Sequence, residues 1–189
     1  VVGVQGIYDT KSTRSATRTE TPLLDVPQSL TIVNSQLIND QRMQGMADVV
    51  RYIPGVQMAQ GEGNRDTPIL RGSSSTADMF IDGVRDDTQY FRDLYNTERV
   101  EALKGPNAMI FGRGGSGGVL NRVSKQADFA TVRGFDLTAG SDSRGRAVAD
   151  WGQAFGQSFA FRINALSEQT GSFRDDVDYS RRGFNPTLA

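Results

Sequence analysis

Glu98-Arg99-Val100-Glu101-Ala102-Leu103-Lys104-Gly105-Pro106 decides how the rest of the chain is read. Its apolar positions fit either a strand or a helix, and the alternation of Val100 and Ala102 with charged neighbours favours a strand. Gly105-Pro106 ends it, since proline lacks the N–H a ladder needs. Downstream, Asn107 is placed to cap a short helix ending at Gly112, and Val119 to Val123 reads as another strand. Upstream, Met79-Phe80-Ile81 is a strand closed by the turn signal Asp82-Gly83, and Ile69 to Arg71 is a strand between two polar loops. Met46, Val49, Val50 and Ile53 recur at helical spacing and stop at Pro54-Gly55. Before them a strand from Leu30 to Val33 leads into a short helix capped by Asn34 or Ser35. Short mixed elements of this kind predict a compact α+β unit over residues 25–128 with a small mixed sheet.

Residues 1–24 are polar and rich in Thr, Ser and Arg, and read as an extended, mobile arm. Beyond residue 128 the texture changes to period two. Arg133, Phe135, Leu137 and Ala139 share one strand face, Ala147, Ala149 and Trp151 another, and Phe159, Phe161, Ile163 and Ala165 a third. Segments of about ten residues with this alternation fit transmembrane barrel strands, and equally an ordinary antiparallel sheet with one wet face. Ala154 to Ser158 reads as a short turn and Gln169 to Arg182 as a longer loop.

Composition narrows the chemistry. The net charge of −1 argues against a general nucleic-acid binder. No cysteine or histidine is present, which excludes thiolate and imidazole metal sites, cysteine nucleophiles and histidine-dependent triads. No apolar run reaches the roughly 20 residues of a membrane helix, so any membrane crossing is by strands. The start has no basic segment followed by an apolar one, as expected once a signal peptide has been removed.

The opening segment, followed by Phe111-Gly112, Gly117-Gly118-Val119-Leu120-Asn121 and Ser124-Lys125, resembles the end of the plug in TonB-dependent outer-membrane siderophore receptors. Asp25-Val26-Pro27-Gln28-Ser29, Ile53-Pro54-Gly55-Val56, Ile69-Leu70-Arg71-Gly72 and Ile81-Asp82-Gly83 fall in that family's order. The resemblance is dense from Thr21 to Lys125 and looser beyond. It implies an N-terminal arm (1–24), a plug (25–128) and the first antiparallel strands (129–189) of a 22-stranded transmembrane β-barrel, here as a fragment. It also implies a receptor rather than an enzyme, importing ferric-siderophore complexes across the outer membrane of a Gram-negative bacterium. The TonB protein energises the import, the plug sits in the barrel lumen, and lipid surrounds the barrel. Neither a catalytic residue nor a protein-held metal or cofactor is expected, because the ligand carries the iron. A related receptor for another nutrient, such as cobalamin or a glycan, is the alternative.

The resemblance carries roles to particular residues. Arg71 and Lys104 are expected to lock the plug to glutamates on later barrel strands. Loops 60–66, 73–78 and 85–93 are expected at the apex facing the ligand. Asn64, Arg65, Arg85, Tyr90, Phe91 and Arg92 are its candidate contacts, the aromatics offering flat apolar faces and the arginines charge. The loop holding Arg85 and Arg92 also holds Asp86, Asp87 and Asp93, so it is no strongly basic trap. Val1-Val2-Gly3-Val4 is expected to belong to a TonB box, which couples by strand addition. A rival reading takes Gly112-Arg113-Gly114-Gly115-Ser116-Gly117, with Gly118, as the glycine loop of a soluble nucleotide-binding enzyme, Asp136 lying further along the chain. That fingerprint needs a strand before the glycines and a helix after them. The sequence around them reads in the reverse order.

Overall fold

The structure, a computed structural model, describes residues 6, 8–59, 64–105, 108–112 and 117–189. The chain divides into two compact units, Val1–Ser124 and Lys125–Ala189, so the boundary falls slightly before the change of texture in the sequence.

The first unit begins with strands β1 (Ser12–Thr13) and β2 (Thr21–Pro22), a 3-10 turn at Leu23–Asp25, and strand β3 (Ser29–Asn34). Helices α1 (Ser35–Asp40) and α2 (Met46–Val50) follow. The Asn34 side chain accepts the Leu37 N–H at 2.9 Å and caps α1. The Asp48 carboxylate accepts the Gln44 N–H at 3.0 Å ahead of α2. Next come β4 (Val56–Met58), β5 (Pro68–Leu70), β6 (Ser73–Ser74), β7 (Met79–Ile81), β8 (Val84–Arg85), β9 (Thr97–Lys104), α3 (Ala108–Phe111) and β10 (Gly118–Ser124).

Five strands form a mixed sheet in the order β3-β9-β10-β7-β8, in which only β10 and β7 run parallel. A separate three-stranded sheet, β4-β5-β6, accompanies it, where the sequence predicted a single sheet. It arises because Arg71 (φ 49°) and Gly72 (φ 85°) make a two-residue turn with both φ values positive, which folds β5 tightly back into β6. Asp82 (φ 50°) and Gly83 (φ 80°) make the same turn between β7 and β8.

The large sheet is covered on both faces. On one, Val33, Val100, Ala102, Leu120 and Met79 pack beneath Ile38, Met46, Val49 and Ile53 of the helical segment. Burying each such aliphatic side chain contributes roughly 1.5–3 kcal/mol. On the other, Leu103, Val119 and Phe80 meet Phe111 and Ala16.

Ala16 corrects the expectation of a mobile arm. Residues 12–22 form the β1–β2 hairpin and dock on the sheet. Thr13 is buried and donates to Glu101 Oε1 at 2.9 Å, and Asn121 Nδ2 donates to Ser15 Oγ at 3.0 Å. Arg18 reaches the Ile110 carbonyl and lies over the Phe111 ring. A polar segment is held because its few anchors meet a polar strip on the sheet, Glu101 opposite Asn121.

The second unit is an antiparallel meander of β11 (Val132–Gly140), β12 (Arg144–Phe155), β13 (Phe159–Thr170) and β14 (Tyr179–Leu188). The connection after β13 covers only 171–178, shorter than the loop read from sequence, because Tyr179 to Arg182 pair with Thr170 to Ser167. Its first residue donates to the connection between β11 and β12, Gly171 N–H to Asp142 O at 2.7 Å. Period two holds throughout the sheet. Phe135, Leu137, Phe184 and Leu188 are all about 70% exposed on one face, while Arg146, Asn164 and Glu168 are buried on the other. A soluble sheet exposes its polar face; this one exposes its apolar face, as barrel strands do. Phe155, Phe159, Phe161 and Trp151 gather at the end near the 156–158 turn, with Phe155 and Phe161 centroids 5.9 Å apart. They match the aromatic girdle of such strands.

Candidate ligand-binding site

The loops expected at the apex lie in the segments on either side of β7. After the Asp82-Gly83 turn the chain makes the short edge strand β8 and then loops back over residues 86–96 to reach β9. Asp66 stitches this loop to the one ending at β5. Its N–H donates to the Tyr90 carbonyl at 3.0 Å, and its Oδ2 accepts the Arg92 N–H at 2.7 Å. Arg65 Nη1 adds a bond to Gln89 Oε1 at 2.6 Å. Two of the three loops expected at the apex are thus brought together.

Beneath them lies a charged cluster. The Arg92 side chain is fully buried, its Nε 2.9 Å from Asp86 Oδ2 and its Nη2 donating to the carbonyls of Asp86 (2.7 Å) and Thr88 (2.6 Å). Its guanidinium lies 4.2 Å from the Tyr90 ring centroid. The same Asp86 oxygen accepts Tyr90 Oη at 2.7 Å and Arg122 Nη2 at 2.6 Å. Burial on its own would raise the Asp86 carboxyl; the hydrogen bonds from Tyr90 and Arg92 and the charges of both arginines outweigh it and hold the group below its ordinary value. Burial and the bond to Asp86 push the Tyr90 phenol up.

The six candidate contacts therefore separate. Asn64, Arg65 and Tyr90 are exposed. Phe91 is not a free flat face, because its ring lies so close to Gly45 that a side chain there would collide with it. Arg92 is not a ligand donor; its hydrogen-bonding capacity is used inside the loop. Arg85 sits in β8 opposite Phe80, so it points to the face of the sheet that carries the N-terminal hairpin. Asp86, Asp66 and Arg122, which sequence reasoning did not select, tie loop 86–96 together. The spacing of Asp86 and Tyr90 gives no hint of a buried cluster; that needs the register of β10.

Arg71 occupies the exposed turn between β5 and β6, its N–H bonded to the Gly55 carbonyl at 3.2 Å. Lys104 ends β9, with Nζ 3.4 Å from Thr31 Oγ1. The residues just before them, Leu70 and Leu103, both turn their carbonyls onto the Gly117-Gly118 pair. Val1, Val2, Gly3 and Val4 lie outside the described residues, as do Arg113 to Ser116 of the glycine loop. That loop joins helix α3 to strand β10, the reverse of the order a nucleotide-binding fingerprint requires.

The second unit holds a further charged group on its polar face. Glu168 of β13 is buried and accepts Arg146 Nη1 at 2.7 Å and Arg144 Nη2 at 3.1 Å, and Arg181 Nη2 forms an ion pair with it at 3.4 Å. Arg146 and Arg181 stand directly opposite it on the neighbouring strands. One row nearer the 171–178 connection, Arg144 and Tyr179 flank Thr170. The sequence reading takes Gln169 to Arg182 as a loop and does not bring these residues together; the pairing of Tyr179 to Arg182 with β13 does.

The chain is similar to known proteins along nearly its whole length. It is 35% identical over 172 residues to the probable TonB-dependent siderophore receptor PiuA of Acinetobacter baumannii, covering 88% of this chain and 23% of that protein. It is 34% identical over 176 residues to the catecholate siderophore receptor Fiu of Escherichia coli K12, with 89% and 23% covered. The crystal structure of the closed form of Fiu superposes with a TM-score of 0.87 at 30% identity, over 96% of this chain and 26% of that one. The chain spans about a quarter of the length of the curated relatives it matches. Residues 22–119 match the model of the TonB-dependent receptor plug domain. With that match, and with a plug-like mixed sheet leading into apolar-faced strands, the chain belongs to the TonB-dependent receptor plug family.

Proposed function

We propose that the full-length protein is an outer-membrane receptor that imports ferric-siderophore complexes, energised through TonB. The observation that carries this reading is likeness to siderophore receptors across both units, plug and barrel strands alike. Asn64, Arg65 and Tyr90 meet the ligand at the apex, held in place by Arg92 and Asp86 beneath. The ligand brings the iron, and no bond is made or broken. Ligand contacts shift the plug by their differential affinity for its two states, and the segment before Ser12 passes to TonB by strand addition. The test is equilibrium binding by the full-length receptor to a panel of ferric siderophores, with growth of the host on each as sole iron source. Binding and growth with at least one siderophore is expected. Binding of cobalamin or a glycan, with no ferric complex bound, would overturn the reading in favour of another nutrient.

Arg71 and Lys104 hold the plug against glutamates on later barrel strands in this reading. Arg71 suits that role, since it stands exposed in the turn between β5 and β6. Arg71→Ala in the full-length receptor should raise passive permeability to large antibiotics while binding persists. Unchanged permeability would leave Arg71 an ordinary surface charge.

A further inference from the structure

The apolar face of the second unit changes character at one corner. Phe135, Leu137, Phe184 and Leu188 stand exposed on that face, and Arg182 shares it, exposed as well and only two residues before Phe184. Ser167 lies directly opposite Arg182, and Gln169 opposite Ser180, so these four polar side chains form a two-by-two patch across β13 and β14. All four are exposed, and none of their side chains has a hydrogen bond or ion pair among the described residues. Partners across a ladder stand about 5 Å apart and alternate residues along a strand about 7 Å. That spacing gathers one guanidinium, two hydroxyls and an amide around a space of phosphate size.

A groove leads from this patch across β12 to β11. Leu137, Ala139, Gly145, Ala147, Ser167 and Gln169 line it. A Cβ at Gly145 would meet nothing within 4 Å, so the groove is open above that position. Its apolar end is continuous with the exposed band of Phe135 and Leu137. The patch lies at the end of the sheet that carries the 171–178 connection, opposite the aromatic cluster near the 156–158 turn. Barrel strands carry their longer connections outside, so this corner faces the outer leaflet. A cation on a lipid-facing surface is destabilising unless its charge is met. Arginine meets phosphate through two parallel hydrogen bonds, and serine hydroxyls beside it supply further donors.

We propose that Arg182, with Ser167, Ser180 and Gln169, binds the phosphate of an outer-leaflet lipid whose acyl chain lies in the groove beside Leu137 and Ala147. The proposal rests on the strands standing in an outer membrane, as in the import reading, and is independent of which nutrient is imported.

The experiment uses the full-length receptor in nanodiscs of phosphatidylcholine. Two photoactivatable probes with identical acyl chains are added separately, a phosphatidate and a diacylglycerol, and adducts are mapped to peptides by mass spectrometry. The phosphatidate should label the groove residues of β11 and β12 several-fold more than the diacylglycerol does. Arg182→Gln should cut that phosphatidate labelling by roughly fivefold or more, as expected when a charge-assisted phosphate contact is lost, and leave diacylglycerol labelling unchanged. Ser167→Ala with Ser180→Ala keeps the charge and should cause a smaller loss. Ala147→Phe fills the groove and should remove the phosphatidate adducts there with Arg182 intact. Folding of each variant is checked by heat-modifiable migration on a gel, and ferric-siderophore binding is measured in the same preparations. Equal labelling by the two probes, undiminished labelling of a folded Arg182→Gln variant, or displacement of the phosphatidate by millimolar inorganic phosphate would each overturn the lipid site. Siderophore binding that persists through those outcomes leaves the import reading standing, and its absence from the wild type would overturn that reading by itself.

Discussion

Arg92→Ala should destabilise the plug by about 3 kcal/mol, within the range for removing one member of a buried ion pair. The alanine leaves Asp86 with only Arg122 and Tyr90, and it strips donors from the carbonyls of Asp86, Thr88 and Tyr90. It also removes the guanidinium on which the Tyr90 ring rests. Urea unfolding of the full-length receptor, followed by hydrogen exchange of the amides in loop 86–96, would show the loss locally. Arg65→Ala, at an exposed apex site, should stay within about 0.5 kcal/mol of wild type. Equal stability of the two variants would mean that the buried cluster does not hold the loop.

Gly118→Ala should be costlier still, about 4 kcal/mol when a strained conformation and a steric clash add. Gly118 has φ 140°, which side chains rarely adopt, and a Cβ there would strike the Leu103 carbonyl and come within 3.1 Å of the Lys104 Cα. Both obstacles are backbone of the central strand β9, which cannot give way without breaking its pairing with β10. Gly72→Ala provides the contrast. Gly72 also has positive φ (85°), but its Cβ would meet open space, so only the conformational cost of roughly 1–2 kcal/mol applies. The relevant measurement is the yield of folded receptor and its unfolding midpoint. A Gly118→Ala variant no less stable than Gly72→Ala would show that the β9–β10 ladder yields.

Local signals were legible where local chemistry sets the structure. Asp82-Gly83 announced its turn because those residues tolerate positive φ, and Asn34 announced α1 because its side chain caps the third residue on. Strands whose alternation is apolar were found close to their observed limits. Long-range polar packing was not legible. Thr13 and Ser15 look like any solvated residues until Glu101 and Asn121, about a hundred positions later, are placed beside them. Arg92 reads as a ligand donor because arginine usually stays at the surface; only closure by Asp66, in another loop, encloses it. Tyr179 to Arg182 passed for loop because both faces of that stretch are polar, and pairing with β13 makes it a strand.

The order in which the sheet closes has a kinetic consequence. β9 lies between β3 and β10, and β7 finds a strand partner other than β8 only in β10. The large sheet therefore waits for β9 and β10, which are made after β3, helices α1 and α2 and the separate β4-β5-β6 sheet. Val33, Met46, Val49 and Ile53 have no sheet to cover until Val100, Ala102 and Leu120 are in place. Contacts this distant along the chain are slow to form. Until those strands are in place the apolar side of the helical segment is open to association with other apolar surfaces.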